Sequence, residues 1–400
     1  MRSELINVLQ SRGYVHQATD LDALDTRAAG GPITAYIGFD LTAPSLHVGN
    51  LVSIMLLRRL EQTGHRAVVL MGGGTSQVGD PSGKEEGRQL LTPETIAANK
   101  ASIGRTFARF LERPITVDNA DWLNGLAYIP FLREIGKHFS VNRMLTFDSV
   151  RLRLDREQPL SFLEFNYMIL QAYDFLELGR RHDVCLQMGG SDQWGNIVGG
   201  TDLIRRLDGK QAFGLTTPLI TTADGAKMGK TAAGAMWLSA DMLAPYDYWQ
   251  FWRNAHDADV GRFLKLFTDV PLDEIARLEA LEGAEINAAK AALADAATAL
   301  AHGPDAATAA AETARATFAE GGAGEDLPRI VAPATGIALV DALVELGFAA
   351  SKGEARRLIA GGGARVEGEP VSDPAYAIAP GAAPVRLSAG RKRHGLVEFG

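Results

Sequence analysis

The sequence predicts an α/β protein: a Rossmann-like, doubly wound parallel sheet domain, then an all-helical domain, then a small α+β module. Three observations carry this reading. First, residues 33–39 (ITAYIGF) and 66–71 (RAVVLM) are apolar, strand-forming runs. Between them, residues 47–63 place Leu51, Met55 and Leu56 at helical spacing, with Gly64 at the C-cap. Strand, helix and strand in this order form a βαβ unit, which implies a parallel sheet. Second, the pattern returns, with a helix over 161–178, a strand over 184–188 and a helix over 191–206. Third, strand signals stop from 246 to 320, where the aromatic run YDYWQFW gives way to an Ala-rich stretch with Leu and Ile at helical spacing.

The domain boundaries follow from these shifts. A Rossmann-like domain is expected over 1–243 and a helical domain over 244–320. A Gly/Pro-rich linker follows over 321–335, and a compact module over 336–400. In that module Leu339, Leu343 and Leu346 mark a short helix. Ser351 and Glu354 have capping-box spacing ahead of a second helix, and ARVEGEPV reads as a tight turn between strands. A chain of 400 residues exceeds what one core supports, so several domains are expected.

The composition, 46% hydrophobic and 22% charged, is that of a globular chain. A net charge of −8 excludes a surface coated in basic charge, but not a local basic patch. No apolar run reaches the roughly 18 residues of a membrane span, so no membrane partner is expected. The opening MRSELINVLQSRGY lacks the apolar core of a signal peptide. The single cysteine, Cys185, cannot form an internal disulfide, which points to a reducing cytoplasm. No His/Cys/Asp grouping has structural zinc spacing, so no metal ligands are assigned.

Two constellations carry chemistry. Ser45-Leu46-His47-Val48-Gly49-Asn50 stands where the first strand meets its helix, the place where open α/β sheets bind anions. His47 and Asn50 share a face there, and Gly49 has no Cβ to keep a flat ring off the backbone. The alternative is that His47 and Asn50 only cap the helix. Lys227-Met228-Gly229-Lys230-Thr231 groups two ammonium groups and a hydroxyl, suited to polyphosphate charge, or else is a solvated loop. Only ten residues of the chain are Lys, so the pairing is not what a random surface would give.

An H-x-G-H-like element after the first strand and a K-M-S-K-S-like element after the last form the paired signature of class I aminoacyl-tRNA synthetases. Here Asn50 replaces the commoner His, and Gly229-Lys230-Thr231 replaces Ser-Lys-Ser. Further stretches sharpen the likeness: Tyr36-Ile37-Gly38-Phe39-Asp40, Gly79-Asp80-Pro81-Ser82-Gly83-Lys84, the helix from Tyr167 to Asp174, and Gln187 to Asn196 (QMGGSDQWGN). Over essentially its whole length the chain resembles the bacterial tyrosyl-tRNA synthetases, with an S4-like module at the end. The helix makes sense without the family: Tyr167, Gln171 and Asp174 form one polar stripe on an otherwise apolar helix. Such groups need partners, either an amino-acid ligand or an internal network.

The resemblance implies roles. Tyr36 and Asp174 would bond the substrate phenol. Asp80, Tyr167 and Gln171 would hold its ammonium, and Gln193 would lie near its carboxylate. Gly38, Gly49, Gly190 and Asp192 would line the nucleoside site together with His47 and Asn50, with Asp40 in support. His47, Asn50 and Thr42 would stabilise the transition state. Lys84, Arg88, Lys227, Lys230 and Thr231 would clamp pyrophosphate. Lys352, Arg356, Arg357, Arg391, Lys392 and Arg393 would contact RNA phosphates, unless they are only a solvated basic face. The implied substrates are L-tyrosine, ATP with Mg²⁺, and tRNA(Tyr). The implied assembly is a homodimer through 128–165. Two other readings stay open: an adenylyltransferase of another pathway, and a non-catalytic RNA-binding protein on the same fold.

Overall fold

The structure, a computed structural model, describes residues 1–81, 91–223, 225, 228–231, 234–319, 327–381, 383–390 and 393–400, with only the backbone for 230, 231 and 317–319. The chain forms two compact units. One comprises Met1–Met228 with Arg262–Phe267, and the other Gly229–Gly261 with Thr268–Gly400.

The first unit holds a six-stranded sheet of β1 (Gln17–Ala18), β2 (Thr34–Asp40), β3 (Arg66–Gly72), β4 (Ile115–Asp118), β5 (Val184–Gly190) and β6 (Phe213–Thr217), in the order β1-β6-β5-β2-β3-β4. Strands β2 to β6 run parallel. The exception to an all-parallel sheet is β1, which pairs antiparallel at the β6 edge. Its two residues are too few for a periodic signal. From β2 the chain winds outward to β3 and β4, then returns to lay β5 and β6 on the other side. The strand order therefore switches between β2 and β5, and ligands bind at such a point, beyond the carboxyl ends of the strands.

In this unit α1 (Glu4–Ser11) and α2 (Leu21–Ala29) precede the βαβ element, whose helix is α3 (Val48–Gln62). After β3 come α4 (Pro93–Phe110) and four short helices, α5 (Ala120–Leu123), α6 (Tyr128–Glu134), α7 (Val141–Met144) and α8 (Asp148–Asp155). The long α9 (Phe162–His182) and α10 (Trp194–Asp208) flank β5. Helix α9 opens on a capping box, Ser161 with Glu164, and ends where Asp183 takes the left-handed conformation at φ 53°. It runs four residues past the expected end, because Gly179 does not break it. Its buried face, including Met168, Ile169, Phe175 and Leu176, packs with Val68 and Leu70 of β3 in one core. That burial fixes which side chains α9 turns toward the switch point.

The second unit begins with a two-stranded ribbon, β7 (Lys230–Thr231) with β8 (Gly234–Ala235). Helices follow: α11 (Pro245–Arg253), α12 (Asp257–Phe267, which ends in the first unit), α13 (Leu272–Glu279), α14 (Ile286–His302) and α15 (Pro304–Ala319). No strand occurs among the described residues from 246 to 319, as expected. The C-terminal part has strands β9 (Arg329–Ala332), β10 (Ile337–Ala338), β11 (Ala364–Val366), β12 (Glu369–Val371), β13 (Ala377–Ile378), β14 (Val385–Ala389) and β15 (Arg393–Phe399), with helices α16 (Leu339–Glu345) and α17 (Lys352–Ala360). Five of these strands form a sheet in the order β12-β11-β14-β15-β9. Strand β9 lies inside the stretch read as linker, and pairs parallel with β15. The β11–β12 hairpin turns through Glu367 and Gly368, both at positive φ, as a two-residue turn of matching twist demands. Ser351 caps α17 as expected, but Glu354 reaches back to the Ala350 N–H rather than to the N-cap residue.

Candidate active site

The end of β2 and the middle of α9 meet at the switch point. Tyr36 on β2 is 1% exposed, and its ring lies 5.3 Å from Phe175 of α9. Its hydroxyl is buried with no hydrogen-bond partner among the described residues. Burial, and then the neighbouring Asp174 charge, push this phenol well above its ordinary range, so it stays a donor. Asp174 on α9 is 2% exposed. Its Oδ1 accepts from the Trp122 indole N–H at 2.7 Å, and its Oδ2 from Asn119 Nδ2 at 2.9 Å. Burial pushes its pKa up to about 7, with Asp40 and Asp118 adding to the rise, while the two donated hydrogen bonds hold it down.

Asn119 and Trp122 carried no signal in the sequence. They come from the end of β4 and from α5, and nothing in DNADW forms a motif. Asn119 is itself fixed, because its Oδ1 accepts from the Gly74 N–H at 2.7 Å and its Nδ2 also donates to Thr75 Oγ1 at 3.0 Å. Asp118, beside it, accepts from Gly73 N at 3.1 Å and pairs with Lys100 at 2.6 Å. A Cβ on Gly73 would fall 2.3 Å from Asp118 Oδ1, so only glycine fits there. The loop after β3 is thereby bolted to the end of β4, which sets where Asn119 points.

A second set of polar groups forms a chain beside the first. Gln193 Nε2 donates to Asp80 Oδ2 at 2.9 Å, and Asn196 Nδ2 donates to Gln171 Oε1 at 2.8 Å and to Gln193 Oε1 at 3.3 Å. The structure thus brings Asp80, Gln171 and Gln193 together, through Asn196, a residue to which the sequence reading gave no role. Tyr167 is tied instead to Asp40, donating to Oδ1 at 3.1 Å, and Thr75 donates to the same oxygen at 3.0 Å. Gly38 is exposed although it lies mid-strand between β3 and β5, and the nearest atom to a Cβ there would be Leu70 Cδ2 at 3.8 Å. The sheet is open at that point. Gly190 ends β5, where a Cβ would fall 2.5 Å from Asp192 Oδ1.

At the start of α3, His47 is the N-cap. Its Nδ1 accepts from the Gly49 N–H at 3.0 Å, and Asn50 Oδ1 accepts from the His47 N–H at 3.2 Å. Both residues therefore cap α3. The imidazole of His47 lies close to Gly49, where a Cβ would fall 2.7 Å from its Cε1. The same Cβ would fall 2.9 Å from the Met228 carbonyl oxygen, so the two signature elements meet here: Met228 of the second lies against Gly49 of the first. Thr42 is exposed in the loop after β2. Lys84, Arg88, Lys227, Arg391 and Lys392 lie outside the described residues, and for Lys230 and Thr231 the backbone places them in β7.

In the C-terminal part, Arg356 and Arg357 are exposed on α17, Lys352 Nζ pairs with Asp341 at 2.7 Å, and Arg393 donates to the Phe348 carbonyl. Cys185 is buried enough to raise its thiol pKa, in keeping with a packing residue.

Comparison with known proteins shows the family. A family model for class I tRNA synthetases (W and Y) matches residues 28–319, and an S4 domain model matches residues 339–383. The tyrosine–tRNA ligase of Zymomonas mobilis is 64% identical over 405 residues, covering 100% of this chain and 99% of that protein. That of Rhodospirillum rubrum is 63% identical over 411 residues, covering 99% and 98%. A C-terminally truncated mitochondrial tyrosyl-tRNA synthetase from Aspergillus nidulans matches with a TM-score of 0.71 at 30% identity, over 78% of this chain and 94% of that one. The chain belongs to the class I tRNA synthetase family of the tryptophanyl and tyrosyl enzymes, and ends in an S4 domain.

Proposed function

We infer that this chain is a tyrosine–tRNA ligase. It joins L-tyrosine and ATP to tyrosyl-adenylate and pyrophosphate, then passes the tyrosyl group to the 3′-terminal adenosine of tRNA(Tyr). The observation that carries the choice of tyrosine is the buried Tyr36 hydroxyl, unpartnered beside the Asp174 carboxylate. A buried donor without a partner costs stability, and a phenol in the pocket removes that cost. The substrate hydroxyl accepts from Tyr36 and donates to Asp174.

Asp80, Tyr167 and Gln171 hold the ammonium, which needs acceptors and negative charge, and Gln193 steadies the carboxylate. In the first step a carboxylate oxygen bonds to the α-phosphorus as the bond to pyrophosphate breaks. The nucleophile is already ionised, so no general base is required. Rate comes from positioning and from donors aimed at the developing charge. Thr42, His47 and Asn50 supply those donors on one side. Lys84, Arg88, Lys227, Lys230 and Thr231 take up the charge of the leaving pyrophosphate on the other. Gly38, Gly49, Gly190 and Asp192 line the nucleoside site, and Asp40 orients Tyr167. In the second step a ribose hydroxyl of the tRNA attacks the tyrosyl carbonyl and AMP leaves.

Mg²⁺ would enter with ATP. Among the described residues no group of three or more His, Cys, Asp or Glu is placed to hold a metal ion, so the phosphates would supply its ligands. Helices over 244–320 would meet the anticodon region, and the module over 336–400 would hold RNA phosphates through Lys352, Arg356, Arg357 and Arg391 to Arg393. A homodimer through 128–165 is supported by apolar side chains left in water there: Tyr128 61%, Ile129 60%, Val141 57% and Phe162 68% exposed. The cytoplasm, where translation uses charged tRNA, is the compartment this activity requires.

ATP–pyrophosphate exchange, with and without tyrosine, tests the reading. Exchange should require tyrosine. Exchange driven equally by another amino acid, or none at all, would contradict it. Ending the chain at residue 320 should leave exchange nearly intact and abolish tRNA charging, and equal loss of both would contradict the division of labour. An elution volume matching one 42.8 kDa chain at micromolar concentration would contradict the dimer.

A further inference from the structure

Asp174 and Arg181 lie seven residues apart on α9, two turns along one stripe of the helix. Trp122 of α5 spans the gap between them. Its indole N–H donates to Asp174 Oδ1 at 2.7 Å, and the Arg181 guanidinium carbon stands 5.3 Å from the centre of its ring. Arg181 is held in turn, since its Nε donates to Glu177 Oε2 at 2.7 Å. Glu177 is itself 8% exposed and also takes the Tyr173 hydroxyl. Trp122 is 6% exposed, whereas the Arg181 side chain is 48% exposed. A partly solvated cation thus presses on the outer face of the ring whose edge holds the buried carboxylate.

We propose that Arg181, clamped by Glu177 and stacked on Trp122, is a positioning residue for the selection of tyrosine: it fixes the indole whose N–H orients Asp174. The inference rests on the reading that Asp174 faces the substrate phenol. Two facts support a role beyond packing. Both oxygens of Asp174 are already engaged, one by Trp122 and one by Asn119, so the direction left for a phenol is set by those two donors. Asn119 is anchored by backbone N–H groups of the β3 loop, whereas the Trp122 ring is braced by a side chain that reaches the surface. The orientation of Asp174 therefore depends on a residue that never touches the substrate.

The experiment is steady-state adenylation with tyrosine and with phenylalanine, in the wild type and in Arg181→Ala, Arg181→Lys, Trp122→Phe and Asp174→Ala. Arg181→Ala should lower the tyrosine-to-phenylalanine ratio of kcat/KM by about two- to fivefold, the size of a half-exposed cation–π contact. The loss should fall on KM for tyrosine and leave phenylalanine use unchanged. Arg181→Lys, which keeps a cation over the ring, should recover part of the ratio. Trp122→Phe removes the donor itself and should lower the ratio further.

A second readout separates orientation from general loosening. The groups facing Asp174 are Tyr36 and Asp40 of β2, Asp118 at the end of β4, and the donors Asn119 and Trp122. A weaker indole donor leaves the two carboxylates and the burial opposed by Asn119 alone. The midpoint for tyrosine binding should then move to higher pH in Trp122→Phe, and in the same direction but less in Arg181→Ala. An unchanged ratio and midpoint in Arg181→Ala, with the ratio collapsed in Asp174→Ala, would overturn the brace while sparing the phenol site. An unchanged ratio in Asp174→Ala would overturn the phenol site, and the brace with it.

Discussion

At one end of the proposed site Tyr36 and Asp174 are 1% and 2% exposed, while at the other end His47 and Asn50 keep part of their surface and Thr42 is exposed. The buried end is held from several directions. Asp174 takes donors from β4 and α5, and those donors are anchored again behind it. The open end is held locally, by a capping box whose members are three residues apart. The difference teaches what each end can do. Choosing between two amino acids that differ by one hydroxyl requires polar groups that lose their partner in the wrong complex, and that loss is large only when water cannot replace it. Accelerating phosphoryl chemistry requires charge that follows the leaving group, so those residues can stay near solvent until ATP arrives.

The comparison breaks most visibly if the two ends fail independently in the wrong way. Asp174→Ala should lower kcat/KM for tyrosine by about 10²–10³-fold, because it removes the acceptor and strands the Asn119 and Trp122 donors. Phenylalanine should suffer much less. In the proposed phosphate loop, Lys230→Ala should lower the adenylation rate by on the order of 10²-fold, typical of losing one transition-state donor, with equilibrium tyrosine binding nearly unchanged. A parallel fall in tyrosine binding would show that the loop serves the amino acid rather than the phosphates.

Gly49→Ala sharpens the contrast without removing any functional group. Its Cβ would fall 2.7 Å from the imidazole and 2.9 Å from the Met228 carbonyl. Displacing both should slow adenylation by roughly tenfold or more, the usual cost of overpacking, and leave the tyrosine-to-phenylalanine ratio alone. A changed ratio would mean that the two ends are not separable.

The pH dependence belongs to the buried end. Burial raises the Asp174 pKa to about 7, and in the proposed site its carboxylate form would be the acceptor for the phenol. Tyrosine binding should weaken as the pH falls below about 7, by at most about tenfold per pH unit. For stability the sign is different. The unfolded chain releases this proton near 3.8 and the folded chain keeps it to about 7, so this one group lowers stability progressively as pH rises through that window. A binding isotherm flat from pH 6 to 8 would contradict the assignment.

The smallest effect is the most specific. Tyr36→Phe deletes a hydroxyl that has no hydrogen-bond partner among the described residues. Its thermal stability should be equal to or above that of the wild type, by about 1 kcal/mol at most, while selection of tyrosine erodes several-fold. Lower stability would show that the hydroxyl already has a use in the fold itself.

What the sequence could reveal divides along similar lines. The βαβ element was legible because β2 and β3 are continuous apolar runs around a helix of clear period. The polar stripe of α9 was legible because buried polar groups at helical spacing are rare. Asn119 and Trp122 were not, because their relation to Asp174 spans 55 and 52 residues of chain and exists only once β4 and α9 are folded. Asn196 stood inside a quoted motif, but nothing local told that it links Gln171 to Gln193. For Gly49 the absence of a Cβ was legible, but not that the imidazole of His47 turns back on its own helix beside it.

The central claim is that selection and rate are carried by separate sets of residues. The most direct measurement is the ratio of kcat/KM for tyrosine over phenylalanine in adenylation, taken side by side for wild type, Asp174→Ala and Lys230→Ala. The account predicts a ratio that collapses in Asp174→Ala and stays at the wild-type value in Lys230→Ala, although both enzymes are slow. A ratio that falls equally in both, or in Lys230→Ala alone, would contradict it.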